Sequence, residues 1–114
     1  GELAQFNSVT ALRNLSLSSY TILDTDSQIF NFWSGGNGGS SIFLPPVADN
    51  QGRSIQFHSD GTIAANKFVR LFPSATDTGV TIDGNASHDF NTAYDGITIL
   101  CHNGQWYITQ EKDK

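Results

Sequence analysis

Apolar residues alternate with polar ones along most of the chain, at the spacing of β-strands. Ile55 and Phe57, for example, alternate with Gln56 and His58. Similar runs recur about every ten residues, separated by Gly, Pro, Asp and Asn, which favour turns. Alternation turns one set of side chains toward a core and the other toward solvent. The pattern predicts about eight short strands and no helix after residue 16.

The sharpest local signal is the pair Asn103 and Gly104, which lies between two apolar runs. A two-residue type I′ turn requires positive φ at both central positions, and Asn-Gly adopts it readily. The turn fixes the pairing of the flanking strands. From the turn outward, the predicted partners are His102 and Gln105, Cys101 and Trp106, Leu100 and Tyr107, Ile99 and Ile108, and Thr98 and Thr109.

Alternation gives this hairpin an apolar face and a mixed face. The only cysteine, Cys101, lies on the apolar face opposite Trp106. A thiol there behaves as a small hydrophobic group with a raised pKa, so it is a poor nucleophile. The mixed face suits either solvent or contact with another subunit. The apolar face comprises Ile97, Ile99, Cys101, Trp106 and Ile108, and the mixed face Thr98, Leu100, His102, Gln105, Tyr107 and Thr109.

The first 17 residues differ, because their apolar positions repeat every third residue. These positions are Leu3, Phe6, Val9, Leu12 and Leu15. A period of three matches neither the 3.6-residue repeat of an α-helix nor the two-residue repeat of a β-strand. Two interpretations stay open: a lead-in with a short amphipathic helical turn, or the end of a stalk whose apolar stripe meets other copies of itself.

Further along, the Asp-Gly pair at 60–61 predicts a hairpin turn, and the strand that follows is apolar on both faces. Its Phe68 and Phe72 face one way and Val69 and Leu71 the other. Such a strand is covered on both sides. A small domain with this much apolar surface is expected to share it with other copies.

Charge excludes several partners. Acidic residues outnumber basic ones, 11 to six, and the net charge is −5 at pH 7. The basic residues are scattered, whereas nucleic acids and anionic membranes require concentrated positive charge. No apolar run reaches the roughly 18 residues of a membrane span, and the N-terminus lacks a signal-peptide pattern. We therefore expect no nucleic-acid partner and no membrane insertion.

Residues with catalytic or metal-binding spacing are not recognisable. His58, His88 and His102 have no ligand partner nearby in sequence, and Asp24 and Asp26 lack the Gly and Glu that complete a calcium loop. The GGNGG stretch is neither a phosphate loop nor a dinucleotide fingerprint. No nucleophile elbow or carboxylate pair is evident, although carboxylates distant in sequence can meet in a fold. We predict no catalytic residue, metal or cofactor, and a protein that is not an enzyme.

Three segments taken together resemble a known module: SYTILDTDSQIF, SIFLPPVADNQGRSIQF and GVTIDGNASHDFNTAYDGITILCHNGQWYIT. They are similar, in order and spacing, to the C-terminal tips of trimeric phage tail fibres, tail-fibre-like bacterial adhesins and related virion proteins. The resemblance covers residues 19–109, and FWSGGNGGSS is longer than the turn expected there. The shared positions look like scaffold: Leu44, Pro45, Gly52, Arg53, Ile82, Asp83, Gly84, Trp106 and Tyr107.

The resemblance implies an all-β fold, an antiparallel β-sandwich or jelly-roll-like head, with three copies around a fibre axis. We expect residues 1–18 to end the stalk, residues 19–110 to form the head and residues 111–114 to be a tail. The implied function is adhesion to a cell-surface glycan or other envelope receptor, on a virion tail fibre or a bacterial surface. The alternatives are a trimerisation cap that binds nothing, and an enzyme that trims envelope polysaccharide.

If the head begins at residue 18 and its strands run antiparallel end to end, the turns at 24–27, 46–52, 73–78 and 102–105 share the end far from the stalk. Amides and carboxylates there suit hydrogen bonds to sugar hydroxyls. Trp33, beside the glycine loop, is either a platform for a sugar ring or a plug in the core or subunit seam. The predicted ligand-binding residues are Trp33, Asp49, Asn50, Gln51, His102, Asn103 and Gln105, and Asp24, Asp26 and Asp77 lie on the same turns.

Overall fold

The computed structural model describes residues 12–16, 18–33, 35–36 and 38–112. These residues form short β-strands and one turn of 3-10 helix at Val47–Asp49. The predicted tail lies partly outside them, at residues 113–114. In chain order the strands are β1 (Leu12–Leu15), β2 (Ser19–Thr21), β3 (Gln28–Asn31), β4 (Gly38–Phe43), β5 (Ser54–Ser59), β6 (Lys67–Phe72), β7 (His88–Phe90), β8 (Gly96–His102) and β9 (Gln105–Lys112).

The strands form two mixed sheets. Sheet I has the order β9-β8-β5-β3-β1, and sheet II has the order β2-β4-β6-β7. From β1 to β6, successive strands alternate between the sheets, and each strand lies parallel to the previous strand of its own sheet. The antiparallel pairs are β5 with β8, β8 with β9, and β6 with β7. The all-β prediction is confirmed, and the prediction of a wholly antiparallel head is wrong.

The connection at Asp60 and Gly61, which was predicted to be a hairpin turn, shows why the antiparallel prediction failed. Strand β5 ends at Ser59 in sheet I, and β6 begins at Lys67 in sheet II. The Asp-Gly pair therefore carries the chain from one sheet to the other instead of reversing it within a sheet. A parallel pair needs a long return connection, and here a strand of the opposite sheet supplies it. Apolar alternation is the same for parallel and antiparallel neighbours, so the pattern could not distinguish them.

Both sheets contribute side chains to one hydrophobic core. Phe57 of sheet I and Phe90 of sheet II approach to 5.7 Å between ring centroids. Trp106 has no exposed surface. Burial of such side chains supplies most of the favourable free energy of folding.

The hairpin of β8 and β9 has the predicted register close to its turn. Both turn residues have positive φ, 51° and 76°. The predicted partners are confirmed from the turn out to Ile108. A β-bulge then intervenes, so Thr98 pairs with Gln110 and not with Thr109. The extra residue returns Gln110 to the outer face of sheet I.

Residues 1–11 of the predicted stalk segment lie outside the described residues. The end of that segment forms β1, in which Leu12 pairs with Gln28 in parallel register. Leu15 is buried in the core. Residues 12–15 are therefore part of sheet I, and the chain enters the sheet at the end where β3 begins.

Candidate functional site

Four connections between strands lie together at one end of the sheets, where β3 and β5 begin and β8 ends. The backbone N–H of Val47 donates to Asp77 Oδ2 at 3.1 Å. The backbone N–H of Gly104 donates to Gln51 Oε1 at 3.4 Å. The structure thus brings together the four turns that the sequence placed at a common end. Strand β1 also begins at this end, so the prediction that these turns lie far from the point where the chain enters the sheets is wrong. We call them the loop cluster, which comprises residues 22–27, 44–53, 73–78 and 102–105.

Arg53 links two connections of the loop cluster, 22–27 and 44–53. Its guanidinium donates to the carbonyl oxygens of Leu23 at 2.6 Å and Asp26 at 2.5 Å, and to Asn50 Oδ1 at 3.0 Å. The buried Asn50 donates from Nδ2 to the carbonyl of Pro46 at 2.6 Å. Hydrogen bonds from a charged donor are stronger than neutral ones. Asn50, a predicted ligand residue, therefore uses both ends of its amide within the protein.

Two more predicted ligand residues fasten neighbouring loops. Gln51 donates from Nε2 to the carbonyl of Val47 at 2.8 Å and accepts from Gly104. Gln105 Oε1 accepts from the backbone N–H of Thr81 at 2.7 Å and from its hydroxyl at 2.8 Å. These amides hold the cluster in one conformation.

Three predicted ligand residues of the cluster point into solvent: Asp49, His102 and Asn103. The His102 ring lies 6.2 Å from the ring of Tyr107, which is 39% exposed. Asp24 on the adjacent turn is also exposed. These side chains give the cluster an open, partly acidic surface.

Cys101 lies beneath the loop cluster and has no exposed surface. Its Sγ lies 3.8 Å from the carbonyl oxygen of Val47 and 3.5 Å from Gln51 Nε2. Burial raises the pKa of the Cys101 thiol, and the negative charge of Asp77 raises it further. The predicted rise in the thiol pKa is confirmed, and this cysteine serves as core.

Trp33 follows β3, at the end of the sheets opposite the loop cluster. Its ring packs against the hydrophobic core, and its buried indole N–H has no hydrogen-bond partner among the described residues. Gly35 lies so close that a Cβ there would come within 2.3 Å of the ring. Residues 34 and 37 of the glycine loop lie outside the described residues. This packing favours the interpretation in which Trp33 fills space in the core over the one in which its ring stacks against a sugar.

A shallow groove crosses the outer face of sheet I, and the sequence interpretation did not predict it. Its larger hollow has a volume of about 370 Å³ and its smaller one about 270 Å³. Both hollows share Gln56 and His58. Alternation placed these two side chains in solvent, but only the pairing of β5 with β3 and with β8 brings other polar side chains beside them. We call this the sheet-I groove, lined by Gln28, Phe30, Gln56, His58, Thr98 and Gln110.

No protein-family model matches this sequence, and no curated protein matches it. Within the described ranges, no group of three or more His, Cys, Asp or Glu side chains is placed to hold a metal ion. No helix in that part of the chain has the length and apolarity needed to cross a bilayer. The candidate functional surfaces are therefore the loop cluster, the sheet-I groove and the outer face of sheet II.

Proposed function

We propose that this chain is the head of a homotrimeric fibre, a sandwich of two sheets that binds a receptor on the surface of a target cell. The receptor is a glycan or another envelope component, and the head is carried by a virion tail fibre or a bacterial surface fibre. The resemblance of residues 19–109 to fibre tips supports this proposal. The function requires no catalytic residue and no cofactor.

The observation that carries the proposal is the cross-linked loop cluster. Arg53, Gln51 and Asp77 fix neighbouring connections against one another through hydrogen bonds to backbone groups. Loops that are ordered before binding lose less conformational entropy when a ligand arrives. Rigid scaffolds that present loops in this way commonly serve recognition. Asp49, His102 and Asn103 are the polar groups that this end exposes.

The outer face of sheet II supports association between copies. Phe43 and Phe72 are partners in register and their rings stack, with centroids 5.3 Å apart. Phe68 lies on the same face, since it alternates with the buried Val69. All three rings are half-buried and point away from the core. Contiguous apolar surface of this kind marks an interaction site.

Charge on this face favours a second copy of the same chain as the occupant. Arg70 and Asp89 form a bidentate ion pair beside the aromatic rings, at 2.6 and 3.0 Å. The pair neutralises itself, so identical faces do not repel one another. Identical subunits that associate in closed symmetry can share such a face around an axis. We assign the trimer contact to this face.

Light scattering on the purified chain tests the assembly. The expected mass is three times that of one chain. Phe68→Ser should shift the mass toward one chain, because it places a polar group in the contact. Phe30→Ser removes a similar ring from the outer face of sheet I and should leave the trimer intact. A wild-type chain that is monomeric would contradict the assembly proposal.

A glycan array probed with the trimer tests recognition. Reproducible binding to a restricted set of envelope glycans is the expected result. Binding that is equal for every glycan, or absent throughout, would count against receptor recognition.

The second candidate is a cap that nucleates the trimer and binds nothing. It is favoured by the internal use of the Asn50, Gln51 and Gln105 amides, which leaves fewer groups in the loop cluster for a ligand. A cap also protects open sheet edges at a fibre end. A stable trimer without any hit on diverse envelope glycans would support the cap.

A further inference from the structure

We propose that the sheet-I groove is a binding site for a neutral saccharide, with its hydroxyl groups held by a row of glutamine amides. This inference rests on the proposed receptor-binding function and deepens it, because it places recognition on a sheet face and not on the loop cluster.

The row crosses four neighbouring strands in register. Gln110 of β9 pairs with Thr98 of β8, Thr98 pairs with Gln56 of β5, and Gln56 pairs with Gln28 of β3. In β3, β5 and β8, each member of the row alternates with buried residues that point to the core, so it faces outward. Gln110 of β9 faces outward because it follows the bulge. Adjacent strands are about 4.8 Å apart, which makes the row about 14 Å long. That length accommodates more than one sugar ring.

The amides of this row are unused by the protein. Among the described residues, the side chains of Gln28, Gln56 and Gln110 have no hydrogen-bond partner. Each amide offers a carbonyl acceptor and two N–H donors. Vicinal sugar hydroxyls are also donors and acceptors, so they can replace the water at these amides without losing hydrogen bonds.

An apolar surface lies beside the row. The ring of Phe30 is 37% exposed, and its centroid lies 5.0 Å from that of His58 at an interplanar angle of 74°. Gly96 is the register partner of His58 and contributes no side chain, so the groove stays open there. The C–H face of a pyranose can pack on an aromatic ring while its hydroxyls reach the amides.

Charge restricts the ligand to a neutral sugar. Glu111 lies at the rim of the larger hollow, and the groove has no Lys or Arg among its described lining residues. An anionic sugar would lack a cationic partner and meet a like charge. The larger hollow is at the lower end of the roughly 300–1,000 Å³ of ligand pockets, so each site binds weakly. Three copies on one fibre would compensate through avidity.

The test is a titration of the ¹⁵N-labelled full chain with methyl glycosides of glucose, galactose, mannose and N-acetylglucosamine, and with N-acetylneuraminic acid. At least one neutral glycoside should shift the groove amides, while the anionic sugar should not. Shifts centred on the loop cluster, stronger binding of the anionic sugar, or no shift with any neutral glycoside would overturn the inference. The resonances expected to move belong to residues 28–30, 56–58, 96–98 and 110–111.

Variants locate the contact. Gln56→Ala and Gln110→Ala should each weaken binding of the active glycoside about tenfold, because each removes hydrogen bonds to the sugar. Ser54→Ala lies on the same face of β5 outside the groove and serves as the matched control. Equal affinity of wild type and both Gln variants would overturn the inference, and Ser54→Ala should bind the glycoside as wild type does.

The glycan array separates this inference from the proposed function. If Gln56→Ala and Gln110→Ala trimers bind the same envelope glycans as wild type, the groove assignment fails and receptor recognition stands. If a methyl glycoside occupies the groove but the trimer binds no envelope glycan, receptor recognition fails and the saccharide site stands. Reduced array binding by both Gln variants, but not by Ser54→Ala, is the expected result.

Discussion

The loop cluster and the sheet-I groove expose similar side chains but use them in opposite ways. In the cluster, the amides of Asn50, Gln51 and Gln105 are all hydrogen-bonded to backbone groups of the protein. In the groove, Gln28 and Gln56 face solvent, with no protein partner in the described part of the chain. The identity of a polar residue therefore does not reveal whether it supports the fold or is free to bind a ligand. Its partners do.

The difference has an energetic consequence. Removing the hydrogen-bond partner of a buried polar group lowers the free energy of unfolding by roughly 1–3 kcal/mol, because the group is left unsatisfied. Losses of hydrogen bonds to charged groups lie in the upper part of that range. An exposed polar side chain that contacts only water changes stability by about 0.5 kcal/mol or less when it is truncated. Substitutions in the cluster should therefore act on stability, and substitutions in the groove on binding.

The largest effect is expected for Arg53→Met. The change leaves the carbonyls of Leu23 and Asp26 and the amide oxygen of Asn50 without their donor. We expect a loss of about 3 kcal/mol in the free energy of unfolding, measured by urea denaturation. The control is Lys67→Met, which removes the same charge from a side chain that has no partner in the described part of the chain. Similar losses in the two variants would show that charge, and not the hydrogen bonds, matters.

A sharper comparison uses two glutamines of the same strand. Gln105→Ala removes the acceptor of two hydrogen bonds from Thr81 and should cost about 1.5 kcal/mol. Gln110→Ala in the groove should change the free energy of unfolding by about 0.5 kcal/mol or less. Chemical denaturation of both variants measures the difference. A destabilised Gln110→Ala would mean that the groove row contributes to stability, and the contrast between the two regions would fail.

A third prediction concerns the turn within the loop cluster. Gly104 has φ of 76°, and a Cβ there would meet nothing within 4 Å. Gly104→Ala should therefore cost about 1 kcal/mol through backbone strain alone. Gly104→Asn should cost less, because Asn tolerates this conformation better than Ala. Equal thermal stability of wild type and Gly104→Ala would contradict the assigned turn.

The parts of the fold that depend on local sequence could be predicted, and those that depend on distant pairing could not. The Asn103-Gly104 turn fixed four pairs of the hairpin because a two-residue loop leaves one register. The bulge beyond Ile108 depends on packing outside the turn, and it shifted the last predicted pair. The parallel order of β1 to β6 is set by connections through the opposite sheet, which leave no trace in apolar alternation.

The candidate site was limited in the same way. Turn spacing was enough to gather the loops at one end, although the antiparallel premise was wrong. Strands that alternate between two sheets also bring every second connection to the same end. Sequence could not show that Gln105 bonds to Thr81 or that Gln51 accepts from Gly104, since these partners follow from the packing of the loops. The groove was missed because Gln28 and Gln56 become neighbours only through the parallel register of β3 and β5.

The smallest predicted effect is a pH dependence of stability that comes from Cys101 beneath the loop cluster. Because burial raises the pKa of this thiol, the folded chain keeps its proton at pH values where the unfolded chain, with an ordinary pKa of about 8.5, loses it. The free energy of unfolding should therefore fall as the pH rises through the unfolded value toward the folded one. Cys101→Ala removes this contribution, so its stability should decline less than that of wild type between neutral and alkaline pH. Urea denaturation of both proteins across this interval gives the comparison, and parallel declines would contradict a thiol held protonated by burial under the cluster.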